Sequence, residues 1–118
     1  MIDEKIIKYC NEHSNQDSDI LKELETYTFE NENIPQMISG NMVGNFLQLL
    51  IKSINAKKIL EVGTFTGYSC IKMAQAIESC ELHTCELMEK HAQTATNFIN
   101  KAKLDKNITV HQGPAIET

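Results

Sequence analysis

Glu61 ends the mostly apolar run "KILEV", and Gly63 and Gly67 follow it in "GTFTG". A second carboxylate, Glu86, ends another apolar run 19 residues beyond Gly67. An ionised carboxylate only accepts hydrogen bonds, so one at a strand tip suits a diol such as the two hydroxyls of a ribose. Glycine has no Cβ, so Gly63 and Gly67 let the backbone turn sharply and approach a ligand. The helix that follows presents free N–H groups at its start. Glu61 would repel phosphates but can lie near an amine or another cation. Together these residues describe a site for a nucleoside-type cofactor. The loop reads GxxxG, not the GxGxxG of a dinucleotide loop, and lacks the GK[ST] of a P-loop.

These residues need strands to carry them. Ile59–Val62 predicts a first strand, Glu81–Cys85 a second and Asn107–His111 a third, ended by Gly113–Pro114. Between them, Tyr68 to about Glu78 predicts a helix with Cys70, Ile71, Ala74 and Ile77 inward. A clearer helix carries Ala92, Ala95, Ile99 and Ala102 as its buried stripe. Strand, helix, strand, helix, strand is two successive βαβ units with right-handed crossovers, hence three parallel strands with helices on the faces. The fold class is α/β: N-terminal helices plus half of a doubly wound, Rossmann-like parallel sheet. Ligands in such sheets bind past the carboxyl ends of the strands, where Glu61–Ser69 falls.

The first third reads as helical. Ile2, Ile6, Ile7 and Cys10 form a weak stripe, and Ile20, Leu21, Leu24 and Tyr27 a better one, with Asp17 or Ser18 as N-cap. A stronger helix starts near Gly40–Asn41 and places Val43, Phe46, Leu47, Leu50 and Ile54 on one face. One domain results, with residues 1–56 as a helical segment and 57–118 as the first half of a cofactor-binding α/β unit. The Ile59–Val62 edge is left unpaired and apolar. That points to a truncated protein, or to an edge covered by another segment or chain.

"ILEVGTFTGYS" resembles the first motif of the S-adenosylmethionine-dependent O-methyltransferases of the catechol and caffeoyl-CoA type. "QMISGNMVGNFLQLL" is similar to that family's upstream segment, and "ELHTCELMEKHAQTATNFINKAKLDKNITVHQGPAIE" to its second and third strands with the helix between. The resemblance implies S-adenosyl-L-methionine as cofactor. It implies that Ser39 touches the methionine end of that cofactor, and that Met37 covers it. Glu61, Gly63 and Thr64 would form the loop beneath, with Gly67 completing the turn and Tyr68 packing nearby. Ser69 would bond the cofactor's carboxylate, Glu86 the ribose hydroxyls, and Ala115 would lie beside the adenine. It further implies methyl transfer to a hydroxyl of a small phenol- or catechol-like acceptor, often on a divalent metal such as Mg. The family's metal ligands and general base come from the fourth strand and beyond, and no segment of this sequence matches them. Val43 stands where relatives often carry a polar residue. A separate chain of this kind is expected to bind the cofactor weakly or not at all.

Composition narrows the other classes. Of 118 residues, 42% are hydrophobic and 23% charged, an ordinary globular balance. All eleven basic residues are lysines, and the net charge of −5 is concentrated in residues 1–34, which carry −6. A chain without arginine or a basic patch is a poor candidate for nucleic acid. No apolar run approaches the roughly 20 residues of a membrane helix, and the N-terminus lacks a signal-peptide pattern, so a cytoplasmic location is expected. Cys10, Cys70, Cys80 and Cys85 form no CxxC pair and are expected to be reduced, mostly buried thiols. His83 and His111, on strands, are candidates for neighbours, but as solvated or core histidines. Met37, Met42, Met73 and Met88 are expected mostly as core filler. Two other readings stay open: a fragment of a nicotinamide-dependent oxidoreductase, and a non-catalytic half-domain that pairs through its open edge. A homo-oligomer, or association through the open sheet edge, is expected.

Overall fold

The computed structural model describes residues 1–118. Three helices, α1 (Glu4–Glu12), α2 (Asp19–Asn31) and α3 (Gly40–Ile54), precede β1 (Lys58–Val62), α4 (Tyr68–Ala74), β2 (Glu81–Glu86), α5 (Glu89–Lys101) and β3 (Ile108–Gln112). Short 3-10 turns occupy Pro35–Met37 and Ala115–Glu117. The strands form one parallel sheet in the order β1-β2-β3, with Glu61 opposite Thr84 and Glu86 opposite Gln112. The edge of β1 away from β2 has no partner strand.

The alternation of the strands decides the core. Ile59, Leu82, Ile108 and Val110 point to the side covered by α4 and α5 and join its apolar cluster. Leu60 and Val62 point the other way and stand about 70% exposed, at 69% and 71%. Helices therefore cover one face of the sheet, not both: the two right-handed crossovers lie on the same side. From α5, Ala95, Phe98 and Ile99 enter the core, and Tyr27 of α2 meets the Phe98 ring edge-on at 5.4 Å. Leu21 and Leu24 of α2 are fully buried.

The structure corrects four expectations. The helix after the glycine loop ends at Ala74, one turn short of Glu78, because the chain leaves it in a turn at Gln75–Ala76. In α3 the stripe Val43, Phe46, Leu50 and Ile54 faces solvent, while Gly44, Leu47 and Ile51 turn inward. Gly44 faces α4, where a Cβ would stand 2.8 Å from Cγ of Lys72, so only glycine leaves room for that stem. The stripe of α1 is exposed: none of that helix is buried. Among the methionines only Met73 is core; Met37 and Met88 are exposed. Cys70, Cys80 and Cys85 are buried free thiols, whereas Cys10 is half-buried. No helix is long and apolar enough to cross a membrane.

Candidate cofactor site at the strand tips

The β1–α4 loop is held by threonines from below. Thr64 Oγ1 lies 2.6 Å from Thr84 Oγ1 on β2, and Thr66 Oγ1 lies 2.8 Å from Thr28 Oγ1 on α2. All four are buried. Thr84 also donates to Glu61 and Thr28 to the Leu24 carbonyl, so the pairs supply the partner that the buried hydroxyls of Thr64 and Thr66 would otherwise lack. The hydroxyl of Thr64 is thus turned into the protein.

Gly63 and Gly67 have different tasks. Both adopt positive φ, 97° and 99°. A Cβ on Gly63 would meet nothing within 4 Å, so this residue opens onto free space. A Cβ on Gly67 would meet Cβ of Ala95 at 3.1 Å, so this residue allows the loop to sit on α5. Between them Phe65 takes φ 51°, a region that non-glycine residues seldom occupy. Its N–H donates to Glu86 Oε2 at 2.7 Å, and its ring packs edge-on to His91.

The two carboxylates lie on the same face of adjacent strands. Glu61 accepts from Ser69 Oγ at 2.5 Å and from Thr84 Oγ1 at 2.7 Å. Burial lifts its carboxyl above the ordinary value; those hydrogen bonds oppose the lift, and the nearby charge of Glu86 adds to it. Glu86 accepts from the N–H of Phe65 and, at 2.9 Å, from that of Met88. Each of its oxygens has room for one further bond, which is what a diol needs.

A narrow hollow of about 40 Å³ lies between Met37–Ser39 on one side and Gly63–Thr66, Tyr68 and Ser69 on the other. It gathers Ser39, Gly63, Thr64, Tyr68 and Ser69. Ala115 is not among them: it lines a separate, open hollow of about 490 Å³ on the uncovered sheet face, with Val62, Cys85 and His111. Gly67 lies against α5, outside both. The Tyr68 ring borders the small hollow while its hydroxyl donates to Asp17 Oδ2 at 2.6 Å. Lys72 Nζ donates to Asp17 Oδ1 at 2.7 Å and to Asn41 Oδ1 at 3.1 Å. The sequence reading missed Asp17 and Lys72 as partners; the one local signal was a lysine inside the buried run "CIKMA".

On the uncovered face His83 Nδ1 and His111 Nε2 are 2.8 Å apart, and His83 Nε2 is 3.0 Å from Glu81 Oε1. They are neighbours, as the strand order suggests. No group of three or more His, Cys, Asp or Glu side chains is placed to hold a metal ion.

Residues 11–118 match the model of the O-methyltransferase family. The chain is 35% identical over 114 residues to a Dictyostelium discoideum protein named "Probable caffeoyl-CoA O-methyltransferase 2", covering 96% of this chain and 49% of that one. It is 44% identical over 75 residues to a catechol O-methyltransferase of Niastella koreensis, covering 63% of this chain and 34% of that one. A crystal structure of the O-methyltransferase from Bacillus cereus, in complex with SAH, superposes with a TM-score of 0.87 at 31% identity, covering 96% of this chain and 51% of that one. The chain spans about half the length of these full relatives. These likenesses give the oxidoreductase reading no support and identify the sheet as half of a Rossmann-like methyltransferase fold. The chain belongs to the O-methyltransferase family.

Proposed function

We propose that this chain supplies the cofactor-binding part of an S-adenosylmethionine-dependent O-methyltransferase whose acceptor is a small molecule bearing a phenol- or catechol-like hydroxyl. The observation that carries the reading is the pairing of Glu61 and Glu86 at neighbouring strand tips, around a loop whose first glycine, Gly63, faces open space. Bound there, the cofactor would supply an activated methyl group for direct transfer to an oxygen.

The residues present fit that group. Glu86 has acceptor capacity left for two ribose hydroxyls, and its backbone bonds hold it in place. Glu61, half-buried and with no positive group among the causes of its shift, gains a counter-ion from the amino group of a methionine moiety. Ser39 and Ser69 flank the hollow that takes the methionine end, and Met37 covers it. The hollow has about the volume of one water molecule, so it takes a single polar group of that end and the rest of the ligand lies along the strand tips. Thr64 and Gly67 shape the loop from behind, Tyr68 forms a wall, and Ala115 borders the adenine side. Catalysis in such a site is chiefly positioning, because the reacting carbon and oxygen must be held close and in line.

The test is a titration of the isotope-labelled chain with S-adenosylhomocysteine into the millimolar range, followed by NMR, with NAD as the control. Shifts concentrated at the Gly63–Ser69 and Glu86–Met88 amides with the first ligand only are expected, and Glu86→Ala should remove them. Equal shifts with both ligands, or none with either, would overturn the reading.

A further inference from the structure

We infer that Asp17 is a positioning residue for the candidate cofactor site: through one buried carboxylate it ties Tyr68, a wall of the hollow on α4, to Asn41 at the start of α3, two residues beyond the Met37–Ser39 wall. The inference rests on the cofactor reading above for its functional meaning, and on the geometry for the link itself.

Asp17 and Lys72 are 6% and 3% exposed in their side chains. Tyr68 and Lys72 lie four residues apart on α4, so both project from the same side of it. The two oxygens of Asp17 divide between them, one to the Tyr68 hydroxyl and one to the Lys72 ammonium. Lys72 then reaches Asn41, two residues beyond Ser39. Asn41 and Asn45 both donate to the carbonyl of Asn15, two residues before Asp17. The short segment 15–17 is thus clamped between α3 and α4, with Tyr68 of the hollow and the first turn of α3 bonded to it.

Three features argue for a role in placement. A buried ion pair is a weak source of net stability, because desolvating two charges offsets most of their attraction, whereas apolar residues of similar volume would pack there at no such cost. The pair is charge-assisted and directional, which suits it to fixing geometry. And it reaches the hollow's lining: Tyr68 is a wall, and Gly40 alone separates Asn41 from Ser39. Gly44 adds to this, since the space it leaves is filled by the Lys72 stem, so the ammonium can approach Asn41 and Asp17 only with α3 at this distance.

The experiment compares the parent chain with Tyr68→Phe, Asp17→Asn and the double variant. Each is examined by amide hydrogen exchange of residues 37–41 and 63–69, by thermal unfolding without ligand, and by NMR titration with S-adenosylhomocysteine. Tyr68→Phe keeps the ring and loses only the hydroxyl. The expected result is faster exchange in both segments together and affinity about fivefold weaker in each single variant, with the double variant no weaker than the worse single one. Loss of affinity that merely follows melting temperature, exchange that rises in 63–69 alone, or effects that add in the double variant would overturn the inference. If Asp17→Asn does not fold, Tyr68→Phe decides on the same readouts. If the parent chain binds no S-adenosylhomocysteine, the cofactor reading fails by itself. Exchange then judges the clamp: a joint rise upholds it, and an unchanged 37–41 segment removes it.

Discussion

Gly67 and Ala95 touch so closely that a Cβ on the first would stand 3.1 Å from the Cβ of the second. The contact seats the β1–α4 loop on α5 and makes the second glycine of the motif a packing residue. Gly63 shares its backbone sign but faces open space. Gly67→Ala therefore meets both strain and a tight contact with the α5 backbone, and is expected to cost about 2–3 kcal/mol. Gly63→Ala meets strain alone, about 1–2 kcal/mol, yet should weaken S-adenosylhomocysteine binding more than Gly67→Ala does at equal folded fraction. Urea denaturation beside ligand titration separates the two effects.

The carboxyl of Glu61 is raised chiefly by burial, with Glu86 adding and the Ser69 and Thr84 hydroxyls opposing. The folded chain thus holds this proton to higher pH than the unfolded chain. Its contribution to stability is complete below the unfolded value and is lost as pH rises through the higher folded value. Glu61→Gln should accordingly flatten the decline in urea midpoint as pH rises above the ordinary carboxyl value. A cationic ligand group favours the ionised form, so binding should release a proton from this residue between its two values. Buffers of different ionisation enthalpy would reveal that release in calorimetry.

Thr28 and Thr66 satisfy each other in a fully buried pair between α2 and the loop. Thr66→Val strands one hydroxyl only in part, since Thr28 also donates to the Leu24 carbonyl. Thr28→Val leaves Thr66 with no partner and should cost about 1–3 kcal/mol. The double valine variant should recover part of that loss. A double-mutant cycle in denaturant checks the asymmetry, which would vanish if water reached Thr66.

Thiol chemistry should report the core. Burial, with the charge of Glu61, pushes the Cys70 thiol well up, and burial raises Cys80. Cys10 is half-buried on α1. A thiolate-seeking reagent near neutral pH should label Cys10 first and Cys70 only after unfolding. Labelling of Cys70 in the native chain at a rate like that of Cys10 would contradict the packing of α4.

The alternating α/β order was legible because each element carries its own period. The strands were placed to within a residue, and the alanine stripe of α5 pointed the right way. The facing of α3 was not legible, since apolar residues surround most of that helix: Leu47 and Ile51 go inward, yet Phe46 and Leu50 do not. Its orientation is decided by Gly44 and the Lys72 stem, a contact 28 residues apart in the chain. The motif carboxylates and glycines announced themselves by spacing. Asp17 did not, because it reads as a helix cap and finds its partners 51 and 55 residues away. Ala115 enters the set by likeness alone; it lines the open hollow on the uncovered sheet face, while the small hollow gathers the residues of the glycine loop.

The bare margin of β1, with Leu60 and Val62 beside it, has a consequence for how copies of this chain behave in company. Each molecule carries a ready template of unmatched amides and carbonyls flanked by greasy side chains. Crowded solutions of the isolated polypeptide should thicken into ribbons that grow flank to flank. A lysine or proline set into that margin would quell the growth without touching the strand tips.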